Sequence, residues 1–309
     1  MNITVIGQGA IGLLWYHRLA ENSKNHVSLI CSSRTTSVPK EIKFTDINNI
    51  TSSNVLISAN NQILAHAELI LCCVKSYHVA EAITSLKNRI SSNAIIIFCH
   101  NGMVNFKQLP NLPQTCYTLL TTHGSKVIQP FHVQHTGLGH NDLGLITGTA
   151  QQEQQEQQEQ QAEMVTTLAT ALPSLTLSHH IKEKQWLKLA INCVINPLTA
   201  INDVENGQLL QQKYNKIIDK LLTEIISVAK YEGMQFSLDE LKTQVLSVAT
   251  MTGKNCSSMR SDILKKRKTE IDYINGYITN TAKSLHITVP ENEKLTLQIK
   301  ALELANCQH

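Results

Sequence analysis

Three polar side chains recur at four-residue intervals in an otherwise apolar stretch of the chain. Lys188, Asn192 and Asn196 lie within residues 186–199, where most other side chains are apolar. In a helix, residues four apart lie on one face, so an ammonium and two amides share one surface. An apolar core does not tolerate such groups without partners. A solvent-facing stripe, the alternative, is usually richer in charge than in asparagine. The pattern favours a polar site that lines a cleft.

A lysine in such a cleft has a defined chemical use. Partial removal from water makes an ammonium group a stronger acid, which can then give up a proton near neutral pH. The reduction of a carbonyl by hydride leaves an alkoxide that needs such a proton, while a cofactor supplies the hydride itself. We therefore predict Lys188 as the general acid of a reductase.

A second group of polar residues follows later in the chain, at residues 257–262 (SSMRSD) and 269–276 (TEIDYING). The predicted helix around Glu270 also carries Tyr273 and Tyr277, which indicates a partly buried setting. A carboxylate there could orient the lysine or accept a hydrogen bond from a substrate hydroxyl. An ordinary surface charge is the alternative interpretation of Glu270.

A glycine-rich turn follows the first strand-like run, residues 2–6, and precedes a helical pattern. The motif G-x-G-x-x-G is formed by Gly7, Gln8, Gly9, Ala10, Ile11 and Gly12. In a nucleotide-binding turn the first glycine permits the turn and the second lets the backbone approach a pyrophosphate. The third lets helix and strand pack closely. The strand–turn–helix context favours dinucleotide binding over a purely structural turn.

The end of the second strand-like run bears on which dinucleotide binds. A site for NAD places Asp or Glu there to hold the ribose 2′-hydroxyl, but residues 29–39 contain no acid and include Arg34. An arginine pairs with a 2′-phosphate, which a carboxylate would repel. The sequence therefore favours NADPH, and an ordinary exposed arginine in a loop is the alternative.

Two further loops follow apolar runs and are expected at the carboxyl edge of the sheet, where ligands bind. Lys75, in the first loop, could face a phosphate or a substrate carboxylate. Asn101, in the second (residues 99–103, CHNGM), could bind the nicotinamide or the ribose. A helix-entry lysine and a plain Asn-Gly turn are the alternatives, and the residues alone leave both open.

The periodicity of the chain indicates the scaffold that must position these residues. Near-continuous apolar runs at residues 68–74 and 94–98 suit strands that are covered on both faces, and a helical pattern separates them. This succession predicts an α/β fold with an N-terminal Rossmann-type doubly wound sheet over residues 1–179. For residues 116–149, where short strands alternate with glycines, we predict an antiparallel edge added to the sheet.

After residue 177 the strand signals end, and we predict an all-helical domain over residues 180–309. A cleft between the two domains is the expected place for chemistry. The predicted helices cover residues 181–201, 209–232, 238–251, 259–285 and 291–305. The repeat QQEQQEQQEQQ at residues 151–161 is predicted as a surface insertion that extends the following helix or stays mobile.

The composition argues against several classes of protein. The net charge is only +3, and we predict the densest basic run, residues 265–268, on a solvated helix face, so no nucleic-acid partner is expected. No apolar run approaches the roughly 20 residues that span a bilayer, and no signal peptide is recognisable before Gly7. The eight cysteines lack metal-binding spacing. We expect a cytoplasmic protein with no metal and no membrane partner.

Several motifs, in order along the chain, resemble those of the 2-dehydropantoate 2-reductase (ketopantoate reductase) family. They are ITVIGQGAIG, CVKSYHV, HNGM, KLAINCVINPLTAI with NGQL, SSM, and TEIDYING with VPEN. The resemblance runs from residue 2 almost to the C-terminus. It implies an enzyme of pantothenate and coenzyme A biosynthesis that reduces 2-dehydropantoate to (R)-pantoate and converts NADPH to NADP+.

The resemblance also implies roles for individual residues. Lys188 matches the general acid, Asn192 and Asn196 match substrate-binding asparagines, and Ser258 matches the serine that binds the substrate carboxylate. Glu270 matches the acidic residue that binds substrate beside the lysine. The implied cofactor contacts are the glycine turn of residues 7–12, Arg34, Lys75 and Asn101.

Two other interpretations of the chain stay open at this point. One is a related NADP-dependent 2-keto or 3-hydroxy acid dehydrogenase with the same two-domain plan. The other is a redox sensor that binds NADP(H) without turnover, although a sensor needs no proton donor such as Lys188. We expect a small 2-keto acid as the substrate and either a monomer or a homodimer.

Overall fold

The computed structural model describes residues 1–33, 35–106, 109–147 and 155–307. Contacts within the chain divide it into two compact units. The sheet unit consists of Met1–His100 and Asn105–Ile181, and the helical unit consists of Asn101–Val104 and Lys182–His309. The short segment Asn101–Val104 thus belongs to the helical unit by its contacts. The predicted domain division between residues 179 and 180 stays a prediction.

Strands and helices are numbered here along the chain. The strands are β1 (Asn2–Ile6), β2 (His26–Ile30), β3 (Glu41–Thr45), β4 (Thr51–Val55), β5 (Leu69–Cys72), β6 (Ile95–Phe98), β7 (Thr115–Thr121), β8 (Gly124–Gln129), β9 (His132–Gly137), β10 (Asn141–Thr147) and β11 (Leu175–Leu177). The helices are α1 (Ala10–Ala20), α2 (Asn61–Ala65), α3 (Val79–Leu86), α4 (Gln155–Ala171), α5 (Ile181–Asn202), α6 (Asn215–Tyr231), α7 (Leu238–Met251), α8 (Ser258–Leu264), α9 (Asn275–Ser284) and α10 (Pro290–Cys307).

The larger sheet has the strand order β11-β10-β7-β6-β5-β1-β2. Its strands from β2 to β7 in this order are parallel. Every residue of β5 and β6 is buried, because both strands are apolar along their whole length and suit a sheet covered on two faces. β2 and β5 flank β1, so the strand order reverses at β1, which is where doubly wound sheets bind ligands. The predicted α/β doubly wound class is confirmed.

Of the predicted segment 116–149, residues 116–147 are described, and they divide between two sheets, which differs from the predicted antiparallel edge. β10 does run antiparallel to β7 in the larger sheet, but β7 continues the parallel order from β6. β8 and β9 instead form a second sheet with β3 and β4, in the order β4-β3-β9-β8. Phe44 on β3 and Val133 on β9 are 1% and 0% exposed. The pairing of β3 with β9 is long-range, and local periodicity carries no information about it.

Helix α1 contacts this second sheet through a buried histidine. His17 is 1% exposed, and its ring stacks on Phe44 with 4.1 Å between the ring centroids. Its Nε2 atom lies 3.3 Å from Glu21 Oε1, and its Nδ1 atom lies 3.2 Å from Asn54 Nδ2. Removal from water lowers the pKa of His17 to about 4, against the opposing attraction of Glu21. The imidazole is therefore neutral at pH 7.

The low pKa of His17 predicts that acid destabilises the fold. The unfolded chain binds the proton near pH 6.5 and the folded protein only near pH 4, so this contribution is complete above pH 6.5 and is lost towards pH 4. Between pH 7 and pH 5, we expect the unfolding free energy of the wild type to fall by about 2 kcal/mol more than that of His17→Gln. Urea titrations followed by circular dichroism measure both values. Equal losses would contradict the assignment.

The helical unit packs around apolar side chains from several helices. Trp186 of α5, Leu221 and Ile225 of α6, Val245 of α7 and Ile278 of α9 are buried in its core. The observed bounds of α7 match the predicted helix 238–251. This core holds α5 in place, and α5 carries the polar stripe that the sequence analysis singled out.

Two predicted helices are interrupted in the structure. The predicted helix 209–232 is preceded and interrupted by 3-10 turns at Asn206–Leu210 and Gln212–Tyr214, and α6 starts only at Asn215. Residues 259–285 break into α8, a 3-10 turn at Ile271–Tyr273, and α9. Helix geometry ends before Lys266, whose φ of 51° is left-handed. The basic run 265–268 therefore lies in a connection rather than on the helix face predicted for it.

The glutamine-rich repeat overlaps the start of α4. Residues 155–161 are helical, which is one of the two alternatives, and residues 151–154 lie outside the described residues. None of the helices in the described ranges is long and apolar enough to cross a membrane. The same ranges hold no group of three or more His, Cys, Asp or Glu side chains that could bind a metal ion.

Candidate functional site

The glycine turn starts at the carboxyl end of β1 and leads into α1. Gly7 has a φ of +105°, a conformation that favours glycine, and a Cβ there would lie 2.9 Å from the carbonyl oxygen of Cys73. A Cβ on Gly12 would overlap the carbonyl oxygen of Gly7. A Cβ on Gly9, in contrast, would meet no atom of the described residues within 4 Å, apart from those of its chain neighbours. The turn is tightly packed at Gly7 and Gly12 and open at Gly9, an arrangement that fits a pyrophosphate.

Gln8 connects this turn to the segment that follows β2. Its Nε2 donates to Thr35 Oγ1 at 2.7 Å, and its Oε1 accepts a hydrogen bond from Ser32 N at 3.0 Å. These bonds hold the segment in which the sequence analysis expects the 2′-phosphate contact. Arg34 itself lies outside the described residues, so its role stays a prediction.

Lys75 lies just after β5, where its extended backbone (φ −60°, ψ 145°) leads into a 3-10 turn. The end of β5 is adjacent to the glycine turn, because the Cβ of Cys73 is 3.2 Å from the position that a Cβ on Gly12 would take. Lys75 therefore lies two residues after Cys73, whose side chain packs against the glycine turn. A phosphate contact by the half-buried lysine stays a prediction.

Lys188, Asn192 and Asn196 all lie on α5. Burial rises along the helix, since Lys188 and Asn192 are half-buried and Asn196 is only 6% exposed. The Nδ2 atom of Asn192 is shielded from solvent, with no hydrogen-bond partner among the described residues. A buried polar group without a partner costs about 1–3 kcal/mol. A bound ligand that accepts a hydrogen bond from Asn192 would remove this cost.

Ser258 is the exposed first residue of α8. The preceding residue, Ser257, caps this helix by accepting a hydrogen bond from Arg260 N at 3.1 Å. The Oγ1 atom of Thr199 on α5 donates to Ser257 Oγ at 2.7 Å, and both side chains are buried. This hydrogen bond holds the start of α8 against the helix that carries Lys188.

Glu270 is buried (4% exposed) in the connection between α8 and α9, and not on a helix as predicted. Its Oε2 accepts a hydrogen bond from Asn101 Nδ2 at 3.2 Å. The segment that carries Asn101 is held in the helical unit, because Met103 N donates to Tyr273 O at 2.8 Å. Gly102, with a φ of +71°, packs against the same carbonyl group. A buried carboxylate is typical of a functional site rather than of a surface charge.

The contacts that hold these side chains are not predictable from the sequence. Thr199 and Ser257 are 58 residues apart, and Asn101 and Glu270 are 169 residues apart. No local pattern links such pairs. The one usable signal is the glycine after Asn101, because glycine favours a sharp turn with close backbone contact.

Family models match most of the chain. The model described as "Ketopantoate reductase PanE/ApbA" matches residues 3–148, and the model described as "Ketopantoate reductase PanE/ApbA C terminal" matches residues 180–303. The chain belongs to the ketopantoate reductase family. The first match includes the glycine turn, and the second includes α5 with its polar stripe.

Relatives within the family match the chain almost end to end. The 2-dehydropantoate 2-reductase of Vibrio cholerae serotype O1 is 32% identical over 310 residues, which cover 98% of each chain. The enzyme of the same name from Escherichia coli O157:H7 is 32% identical over 308 residues, covering 98% of this chain and 95% of the relative.

Solved structures share the ketopantoate reductase fold. The PanE/ApbA family ketopantoate reductase from Ralstonia eutropha JMP134 superposes with a TM-score of 0.86 at 24% identity over the whole of both chains. D-mandelate dehydrogenase in complex with NADH and anilino(oxo)acetate superposes with a TM-score of 0.87 at 21% identity, covering 99% of this chain and 100% of the other. At these identities the likeness concerns the fold alone.

Proposed function

We propose that this ketopantoate reductase reduces 2-dehydropantoate to (R)-pantoate with NADPH, in the biosynthesis of pantothenate and coenzyme A. The observation that carries the proposal is the polar stripe on α5, where a lysine and two asparagines share one helix face. In the sheet unit, the glycine turn fits a dinucleotide, since Gly9 leaves room for a pyrophosphate.

The cofactor-binding residues fall into two groups by what they hold. Residues 7–12 bind the pyrophosphate through their backbone and the start of α1, and Gln8 also orders the segment after β2. Arg34 pairs with the 2′-phosphate, and Lys75 and Asn101 contact the cofactor from the neighbouring strand ends. When bound, NADPH supplies the hydride.

Lys188 donates the proton that the reduced carbonyl oxygen requires. Its half-buried position on α5 reduces contact with water, which favours release of the ammonium proton to an alkoxide. Glu270 binds the substrate hydroxyl region beside the lysine, and its bond to Asn101 orients the carboxylate. Lys188 therefore acts at the oxygen that changes charge during the reaction, and Glu270 binds the substrate beside it.

Neutral polar side chains complete the binding of the substrate. Asn192 offers a shielded Nδ2 donor, and Asn196 lies one turn further along the same helix face. Ser258 binds the carboxylate from the start of α8. Hydrogen bonds from buried donors fix the orientation of the keto group, which a reductase needs for transfer to one face.

A coupled assay tests the proposed function. Purified protein is mixed with NADPH and 2-dehydropantoate, and the loss of NADPH absorbance is followed, with NADH and a panel of other 2-keto acids as comparisons. We expect oxidation that depends on 2-dehydropantoate and prefers NADPH. Turnover of other 2-keto acids alone would indicate a related dehydrogenase, and tight NADPH binding without any turnover would indicate a redox sensor.

Replacement of Arg34 by alanine tests the choice of cofactor. We expect the KM for NADPH to rise at least about tenfold, since an arginine–phosphate pair is lost, while the KM for NADH changes little. Steady-state assays at saturating 2-dehydropantoate measure both constants. Equal changes for the two cofactors would refute the 2′-phosphate role.

We further propose a cytoplasmic location and either a monomer or a homodimer. A ketopantoate reductase from Staphylococcus aureus, 18% identical to this chain, is described as dimeric. Size-exclusion chromatography with light scattering measures the assembly of this protein.

A further inference from the structure

Helix α5 contains a proline in the middle of its polar stripe. Pro197 follows Asn196 directly and has no backbone N–H. In a regular helix, the N–H at residue 197 would donate to the carbonyl group four residues earlier, which belongs to Cys193. Cys193 is 0% exposed as a whole residue, so water does not reach its carbonyl group. The proline therefore leaves a buried carbonyl group in need of another donor.

Asn275 supplies this donor from another helix. Its Nδ2 atom donates to the Cys193 carbonyl oxygen at 2.9 Å, and the residue is 0% exposed at the start of α9. The amide replaces the hydrogen bond that Pro197 cannot make. The contact lies within the turn that separates Asn192 from Asn196, the two predicted substrate-binding amides.

The Asn275 side chain is also part of a hydrogen-bond network that reaches two further helices. The same Nδ2 atom donates to Asn292 Oδ1 at 3.0 Å. Asn292 in turn donates through its Nδ2 and its backbone N–H to Glu224 Oε2, at 2.7 and 2.9 Å. Glu224 on α6 also accepts a hydrogen bond from Glu291 N at 2.9 Å. Asn292 on α10 and Glu224 on α6 thus belong to the same hydrogen-bond network as Asn275.

We propose that Asn275 is a positioning residue of the substrate site, and this inference rests on the proposed function. A proline opens a helix at the preceding turn because its ring displaces the carbonyl group four residues before it. Asn275 binds the carbonyl group at this position, that of Cys193, and so sets the geometry of the helix between Asn192 and Asn196. Without it, the two amides change their relative orientation and fit the substrate less well, while the cofactor-binding turn in the sheet unit is untouched.

The first test is the variant Asn275→Ala of the full-length enzyme. We expect the KM for 2-dehydropantoate to rise about 10- to 100-fold, the scale of a displacement near 1 Å in a site. We expect the KM for NADPH to stay near the wild-type value. Assays run well below the melting temperature of the variant, which is measured by circular dichroism, so that loss of folded protein does not enter the constants.

Asn292→Ala is the matched control. It removes the other partner of the Asn275 amide but leaves the bond to Cys193 O in place. We expect a lower melting temperature with little change in the KM for 2-dehydropantoate. A rise in KM as large as that of Asn275→Ala would overturn the positioning role, because both variants would then act through stability.

The double variant Pro197→Ala, Asn275→Ala separates positioning from stability. Alanine at residue 197 restores a helical N–H donor for the Cys193 carbonyl group, so we expect melting temperature to recover in part. The KM for 2-dehydropantoate should stay high, because the turn between Asn192 and Asn196 then becomes regular and differs from the turn that Pro197 and Asn275 produce together. Recovery of KM together with stability would show a purely structural role.

The assay of the wild-type enzyme separates failure of the proposed function from failure of the positioning role alone. A wild-type enzyme that is inactive with 2-dehydropantoate overturns the proposed function and this inference with it. An active wild type together with an unchanged KM in Asn275→Ala overturns the positioning role alone.

Discussion

Replacement of Lys188 by alanine is expected to lower kcat with 2-dehydropantoate by about 10²- to 10⁴-fold, the usual loss when a general acid is removed. The alkoxide that forms on reduction then has no proton donor of the protein beside it. The KM for NADPH should stay close to the wild-type value, because Lys188 lies on α5 and the glycine turn lies between β1 and α1. Steady-state kinetics and NADPH fluorescence titrations measure these quantities.

Two further variants control for the loss of the lysine side chain. Lys188→Met keeps a long side chain without a proton to donate, and we expect the same fall in kcat. Lys182→Ala removes a lysine from the same helix that is exposed and paired with Glu232 at 3.2 Å, and turnover should be unchanged. A kcat of Lys188→Ala near that of the wild type would remove Lys188 from the mechanism.

Addition of a single methyl group to the glycine turn should weaken NADPH binding at two positions but lower the stability of the fold at only one of them. In Gly12→Ala the new Cβ overlaps the Gly7 carbonyl oxygen, and neither backbone segment can move without shifting β1 or α1. We expect a loss of about 1–3 kcal/mol in unfolding free energy, the usual cost of overpacking, and no measurable NADPH binding. Urea titrations and fluorescence titrations measure the two effects.

Gly9→Ala is the matched comparison. Apart from its chain neighbours, its Cβ meets no atom within 4 Å in the part of the chain that the structure describes. Its backbone (φ −74°, ψ 177°) is extended, a conformation that alanine also adopts. We expect unchanged stability, together with an increase of at least about tenfold in the KM for NADPH, since the methyl group fills the space for the pyrophosphate. Normal affinity for NADPH in Gly9→Ala would show that the turn does not hold the cofactor.

Much of the fold is accessible from local pattern. The continuous apolar runs at β5 and β6 predicted buried parallel strands. A strand that is covered on both faces is apolar on both, so its sequence does not alternate between apolar and polar residues. The second sheet could not be predicted from such local patterns. β3 pairs with β9, and only the burial of Phe44 and Val133 against their surroundings explains why these short strands meet.

The same distinction between local patterns and tertiary structure applies to the candidate site. The spacing of Lys188, Asn192 and Asn196 is a property of one helix, so the sequence shows it directly. The break between α8 and α9 depends on a left-handed residue at Lys266, and helical periodicity continues across it. For this reason the sequence predicted Glu270 on a helix, whereas it lies in a connection.

By itself the sequence determined the fold class, the family, the glycine turn and the polar stripe, because each depends on residues that are close together in the chain. Only the tertiary structure decided that Glu270 is buried against Asn101 and that Asn275 binds the Cys193 carbonyl group. These contacts join residues 169 and 82 positions apart. Which distant donor meets a buried acceptor depends on how the helices pack, and spacing along the chain does not record it.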